Sequence, residues 1–208
     1  KARVGNPQVS YRESITGEAE EEFSFDRTIA NKENWAKLTL SAKPLPAGSG
    51  NVLKISANTR DIPEEIIAAV KSGIEGAFKS GIKFGYETTD IEIDVKDIAY
   101  NELTSTPFAN EACANMAFDA VCQKAGAVLM EPIMNVKLSA PTQYVGDVIS
   151  SITSRGGIVN SMESRVGSDL ISAEVPLQKM FGYTTVLRSS TQGRGTFSME
   201  FSHYAPKA

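Results

Sequence analysis

The chain has 208 residues and a mass of 22.4 kDa, enough for one large domain or two small ones, each with its own core. With 41% hydrophobic and 22% charged residues and a mean hydropathy of -0.17, it has the composition of an ordinary globular protein, which excludes disordered, collagen-like and fibrous classes. A net charge of -4 and a pI near 5.2 exclude a protein held on nucleic acid by bulk positive charge; residues 1–127 carry 14 Lys and Arg against 19 Asp and Glu, whereas residues 128–208 carry 7 against 6.

No apolar run approaches the roughly 18 residues of a membrane-spanning helix. The start, Lys1-Ala2-Arg3-Val4-Gly5, lacks an initiator Met and a basic-then-apolar leader, as expected of a fragment or processed chain. Cys113 and Cys122 are nine residues apart in a helical segment; at about 100° per residue they lie on opposite faces and cannot bridge. Two cysteines and one histidine are too few for a structural zinc site, and a reducing, cytoplasmic setting is the default.

In chain order, residues 8–15 alternate as a first strand that Thr16-Gly17 ends, and residues 18–28 and 35–40 form a second and third. Two prolines and two glycines in residues 43–50 make a turn. After a short strand over 52–57, Asp61 is the N-cap candidate of a helix that buries Ile66, Ile67, Val70, Ile74, Ala77 and Phe78 and ends at Gly81. Residues 88–95 alternate as a strand whose phase slips at Asp97-Ile98, and a second helix spans 107–124, with Ala109, Ala112 or Cys113, Met116, Ala120 and Val121 inward. From residue 128 the order is β-α-β-β-α-β: Met134, Val136 and Leu138 alternate, a helix covers 144–153, strands follow at 157–162 and 171–175, a helix covers 177–189 with an interruption at Gly182, and Phe197, Met199 and Phe201 form the last strand. The expected fold class is α+β in two domains, a layered β-α arm over 1–127 and a ferredoxin-like unit over 128–208.

The chemistry-bearing patterns are sparse. Gln192-Gly193-Arg194-Gly195-Thr196 lacks phosphate-loop spacing and precedes a strand instead of opening a helix, so it reads as a tight turn whose Arg194 can meet an RNA phosphate. In Arg155-Gly156-Gly157, Gly156 supplies a left-handed helix cap, and Arg155 reads either as a solvated side chain or as a phosphate contact. Glu18-Ala19-Glu20-Glu21-Glu22 has no metal-ligand spacing and reads as a solvated strand edge, and His203 has no nucleophile motif beside it.

Val4-Gly5-Asn6-Pro7-Gln8-Val9-Ser10-Tyr11-Arg12-Glu13-Ser14-Ile15, Glu131-Pro132-Ile133-Met134, Gly146-Asp147-Val148-Ile149, Val175-Pro176-Leu177, Met180-Phe181-Gly182-Tyr183, Leu187-Arg188-Ser189 and residues 191–201 resemble the carboxyl-terminal part of bacterial elongation factor G, its fourth and fifth domains. The resemblance implies a fourth domain of ribosomal-protein-like two-layer fold that enters the decoding region and keeps tRNA and mRNA from slipping back. It implies a fifth, ferredoxin-like domain resting on large-subunit ribosomal RNA and the stalk-base protein. It places GTP and magnesium in a G domain upstream, with no cofactor, metal or catalytic set in this stretch, and suggests a monomer without a membrane.

Two places depart from the family. Residues 25–35 replace a glycine-rich loop, and the family's Tyr-His pair reads Tyr100-Asn101, which removes any role for a protonated imidazole. The expected tip contacts to tRNA and the decoding region are Asn31, Lys32, Asn34, Asn101 and Glu102; the expected ribosomal RNA contacts are Arg155, Arg188 and Arg194. Translocation is the first functional expectation. The departures keep a second open, a paralogue that splits subunits with ribosome recycling factor; a small nucleotide- or RNA-processing enzyme is the remote third.

Overall fold

Apolar side chains at every second position, Ala36, Leu38, Leu40 and Ala42, are buried along one face of a long strand that carries the first of two sheets. The structure, a computed structural model, describes residues 9–207. Residues 4–8, which open both the expected first strand and the resemblance, lie outside them. The chain divides into two compact units, residues 11–130 with 206–207, and residues 131–205 with 9–10.

The first unit contains β1 (Arg12–Ile15), β2 (Ala19–Ile29), β3 (Lys32–Pro44), β4 (Val52–Ile55), α1 (Glu64–Ser80), β5 (Ile91–Ala99) and α2 (Pro107–Ala125). Its sheet runs β2-β3-β5-β4, antiparallel except for the parallel β4–β5 pair. The expected phase slip is present as a register shift between Thr39 and Leu40, opposite the stretch from Val95 to Asp97. Charged side chains on the outer face pair across and along strands, Lys43 with Glu92, Lys96 with Asp94 and Lys37 with Glu22, each at 3.5 Å.

The helices correct two expectations. Pro63, not Asp61, holds the N-cap position of α1, without a side-chain cap; Glu64 and Glu65 stand in the first turn, where the helix dipole favours acids. The inward face expected for α2 is too narrow. Because α2 packs on β2 and β3 as well as along α1, it buries Ala109, Asn110, Cys113, Ala114, Ala117, Phe118, Val121, Cys122 and Ala125, while Met116 stays 41% exposed. The two cysteines do occupy different faces, and both faces are buried. The helices approach closely at Gly73, where a Cβ would press on the Glu111 carbonyl and the Ala114 methyl.

β1 is shorter than expected: residues 12–15 pair with 127–130, and residues 9–11 lie outside the strand. Its Glu13 is fully buried. Oε1 accepts from the backbone N–H of Ile82 (3.0 Å) and Lys83 (2.7 Å), and Oε2 from that of Tyr86 (2.7 Å). The main chain of Glu13 adds bonds to Glu87 and Thr89 at 3.0 and 2.9 Å. Gly81, at φ 87, lets the chain leave α1 into this cradle; a Cβ there would collide with the Glu13 carboxylate and the Tyr86 backbone.

The second unit contains β6 (Ala127–Pro141, counted here from Glu131), α3 (Val145–Ser154), β7 (Ile158–Arg165), β8 (Ser168–Pro176), α4 (Tyr183–Thr191) and β9 (Thr196–Pro206). The strands lie in the order β9-β6-β8-β7, a ferredoxin-like β-α-β-β-α-β arrangement. Met134, Val136 and Leu138 face Ile171, Ala173, Val175, Val148, Ile152 and Leu187 in its core. The helix expected over 177–189 with an interruption at Gly182 is a 3-10 turn at Leu177–Met180 followed by α4, and Gly182 takes the left-handed conformation between them.

Replacing Glu13 with Ala leaves three part-buried backbone N–H groups without their acceptor, so urea unfolding of the Glu13→Ala variant is expected to show a loss of about 2 to 3 kcal/mol.

Candidate nucleic-acid interface

The segment expected as a divergent loop over residues 25–35 is a continuous hairpin. Pairing runs from Phe25 opposite Ala36 to Ile29 opposite Lys32, and only Ala30 and Asn31 form the turn. Their φ values of 52 and 66 are those of a two-residue primed turn, whose twist suits the flanking strands. β3 pairs with β5 only from Lys37 onward, so the hairpin end extends past the end of β5. The following loop, residues 100–105, runs beside it: the Trp35 N–H donates to the Thr104 carbonyl at 2.8 Å.

Asn31 and Lys32 therefore share one end of the unit with Asn101 and Glu102, and all four are exposed. Asn101 also builds its loop, since its Oδ1 accepts from the N–H groups of Leu103 (2.8 Å) and Thr104 (3.3 Å) and its own N–H donates to Ser105 Oγ (2.8 Å). Leu103 is left 85% exposed at the apex.

Asn34 does not join them. It is buried, and its amide links two segments 72 residues apart: Oδ1 accepts from Thr106 Oγ1 at 2.8 Å, while Nδ2 donates to the Lys32 carbonyl at 3.1 Å. Thr106 Oγ1 in turn accepts from the Ala109 N–H at 3.1 Å and caps α2. Asn34 is a clamp between hairpin and helix because strand alternation turns it toward α2, on the side of Ala36 and Leu38.

The same alternation sorts the charges. Arg27, Ile29 and Lys32 lie on the helix side with Phe25, and Asp26, Thr28 and Glu33 on the other. The Arg27 guanidinium stands 5.5 Å from the centre of the Phe25 ring, which meets Phe108 of α2 edge-on at 5.9 Å. On the opposite side, the negative charge of Asp26 and a hydrogen bond with it push the Glu33 carboxyl above its usual range. Arg27 and Phe108 escaped the sequence reading; strict alternation through residues 25–29 would have found Arg27, whereas Phe108 is brought to it only by the packing of α2 on β2.

In the second unit Arg188 and Arg194 are exposed near the turn before β9, where Arg188 lines a small crevice of about 180 Å³ with Thr184 and Thr196. The turn's own N–H groups point inward: Gly193 donates to the Arg188 carbonyl (2.8 Å), Arg194 to the Thr191 carbonyl (3.1 Å) and Gly195 to Thr191 Oγ1 (2.8 Å). These residues do not fit a nucleotide phosphate, which needs such donors free. Arg155 is half-buried instead of reaching outward. It donates to the carbonyls of Lys179 and Phe181 and lies 5.1 Å over the ring of Tyr183, whose hydroxyl is 2.8 Å from Ser151 Oγ. Burial raises the Tyr183 pKa, partly offset by Ser151 and Arg155.

Reactive groups elsewhere are quiet. Burial pushes the Cys113 and Cys122 thiols up to about 11 and about 12, the second also through the charges of Asp119 and Glu13. Among the described residues, no group of three or more His, Cys, Asp or Glu side chains is placed to hold a metal, and no helix is long and apolar enough to cross a membrane.

The candidate side chains stand on exposed surface, on a projecting hairpin and a loop apex in the first unit and on a turn in the second, and not around an enclosed cavity. Comparison with known proteins identifies the family. The family model "Elongation factor G, domain IV" matches residues 7–126 and "Elongation factor G C-terminus" matches residues 128–208. The chain belongs to the elongation factor G family. It is 49% identical, over an alignment of 216 residues, to Elongation factor G 1 of Treponema denticola, covering 100% of this chain but 32% of that protein. A crystal structure from Thermus thermophilus superposes with a TM-score of 0.85 at 31% identity, over 98% of this chain and 30% of the other. The chain thus spans about a third of the length of these relatives.

Two predictions concern the hairpin. Replacing Asn34 with Ala removes the partner of the helix cap and is expected to cost about 1 to 2 kcal/mol in urea unfolding, with hydrogen exchange accelerated at both residues 30–34 and 106–110. Glu33 has a folded pKa above its unfolded one, so its ionisation weakens the fold; the penalty is absent below the unfolded pKa and sets in as pH rises through the folded value. Glu33→Gln is therefore expected to melt slightly higher than the parent at neutral pH, with the difference closing in acid, where the Glu33 carboxyl is protonated in both states.

Proposed function

We propose that this chain is the ribosome-engaging carboxyl-terminal part of a translational GTPase that promotes movement of tRNA and mRNA, its first unit acting as the arm that occupies the decoding region. The observation that carries the reading is the match of the two elongation factor G family models, end to end, over residues 7–126 and 128–208. The arm works by occupancy. A hairpin stiffened by strand pairing and clamped through Asn34 to α2 holds Asn31 and Lys32 beside Asn101 and Glu102, so a returning tRNA meets a fixed obstacle with polar groups aimed outward.

Asn101 supplies hydrogen bonding without charge, and its Oδ1 is already held by its own loop, so its amide nitrogen and the neighbouring Glu102 carry the contact. Arg188 and Arg194 meet phosphates of ribosomal RNA near the stalk base, while Arg155 positions the corner carrying Lys179 and Phe181. GTP and magnesium belong in a G domain outside these residues. The protein acts as a cytoplasmic monomer whose partners are the ribosome, tRNA and mRNA.

The test uses variants that leave the turn and loop intact: Asn31→Gly tolerates the left-handed turn position, and Asn101→Asp keeps the oxygen that caps residues 103 and 104. Combined with Lys32→Ala in the full-length factor, they are expected to slow single-turnover tRNA–mRNA movement about tenfold or more. Unchanged movement would remove the tip from the mechanism. A factor that dissociates subunits with recycling factor but moves no tRNA would overturn the reading.

A further inference from the structure

The end of the hairpin has two unlike sides, and only one suits nucleic acid. On the helix side Arg27 and Lys32 are exposed, and among the described residues neither forms an ion pair, unlike the lysines on the sheet's outer face. Arg27, Phe25 and Phe108 stand in a row, and the Phe108 ring is 56% exposed at the first turn of α2. Phe108 also begins a groove of about 440 Å³ along α2, continued by Ala112 and Met116, with Glu111 and Asn115 beside them. A nucleobase needs an exposed flat ring and apolar floor; a phosphate needs cations free of carboxylates. Glu111 keeps phosphates off the groove, so they fall at the Arg27 and Lys32 end and the base at the Phe108 end. On the other side Asp26 and Glu33 repel a polyanion, and they already repel each other.

We propose that the hairpin binds unpaired RNA with its helix-side face alone, a base stacking on Phe108 and the adjoining phosphates resting on Arg27 and Lys32. This rests on the proposed function and names the face and chemistry through which the arm meets its RNA. Phe25 is the buried support that fixes Phe108 and Arg27 in line; it is a positioning residue. Asp26 and Glu33 set the sidedness by exclusion.

The experiment uses the full-length factor on ribosomes carrying tRNA and mRNA. A photoreactive phenylalanine analogue is placed at Phe108 or, separately, at Glu33, and the adducts are sorted into RNA and protein. RNA adducts dominating from position 108, at yields about tenfold above those from position 33, are expected. Adducts mainly to ribosomal protein, or equal RNA yields from both positions, would overturn the proposal. In parallel, Arg27→Glu and Phe108→Ala are each expected to slow tRNA movement about tenfold, while Glu22→Gln and Lys37→Gln, which alter an ion pair on the sheet's outer face, stay within about twofold of the parent. Melting curves guard against unfolding, and Arg27→Glu, on an exposed side chain, carries the test if Phe108→Ala proves unstable. If the Asn31 and Asn101 variants slow movement but Arg27→Glu and Phe108→Ala do not, the one-sided face is wrong and the functional reading stands. If none of them slows movement, the functional reading falls, and this proposal with it.

Discussion

A single buried carboxylate holds the first unit together. Glu13 gathers three backbone N–H groups from the segment that follows α1, while its main chain bonds to Glu87 and Thr89. No cation answers its charge in those bonds; the N–H groups alone replace water, and such charge-assisted bonds are roughly twice as strong as neutral ones. Without that acceptor only the main-chain bonds to Glu87 and Thr89 tie the exit from α1 to β1, and the N–H groups of Ile82, Lys83 and Tyr86 lose their partner. α2 depends on the same corner, because its last turn buries Cys122 close enough to Glu13 for the carboxylate charge to raise the thiol's pKa.

The far end of the unit uses the same device with a neutral group. Asn34 reads two neighbours at once, accepting from the α2 cap and donating to the hairpin, so neither can shift without exposing an unsatisfied polar atom. This matters because the left-handed turn conformation of Ala30 costs about 1 to 2 kcal/mol that glycine would not incur. Strand pairing on both sides of the turn and the Asn34 clamp together hold a conformation that the turn residues alone would not choose.

What can be read from the residues is whatever local periodicity controls. Ile66, Val70, Ile74 and Phe78 announce α1, and the alternation of Met134, Val136 and Leu138 announces β6; both are found where expected. Partnership between segments distant in sequence is not legible. Glu13 meets its partners 69 to 73 residues away and Asn34 meets Thr106 across 72, so nothing beside either residue marks it as buried. The hairpin reads as a loop because Ala30-Asn31 lacks the Asn-Gly or Asp-Gly signature of its turn type. Arg155 reads as reaching outward, to solvent or to an RNA phosphate, because a helix corner usually is exposed; the carbonyls of Lys179 and Phe181 that hold it arrive from another segment. α2 reads as having one inward face because periodicity reports one boundary with water, and a helix held between α1 and a sheet has two apolar neighbours.

Charge shows the same limit from the other direction. A net charge of -4 counts against nucleic acid only if charge is averaged over the surface. Along the hairpin the average is uninformative even locally, because Asp26-Arg27 and Lys32-Glu33 are each neutral pairs. A helix or a coil would mix those four charges on one surface. A strand cannot: its period of two sends Arg27 and Lys32 to one side and Asp26 and Glu33 to the other, so neutral sequence becomes a cationic face backed by an anionic one. At a separation within the Debye length of about 8 Å in physiological salt, a phosphate approaching each face feels mainly the charges of that face and the carboxylates behind act to orient it. An acidic protein can therefore carry a local, directional cationic face without the bulk positive charge that would bind any polyanion indiscriminately.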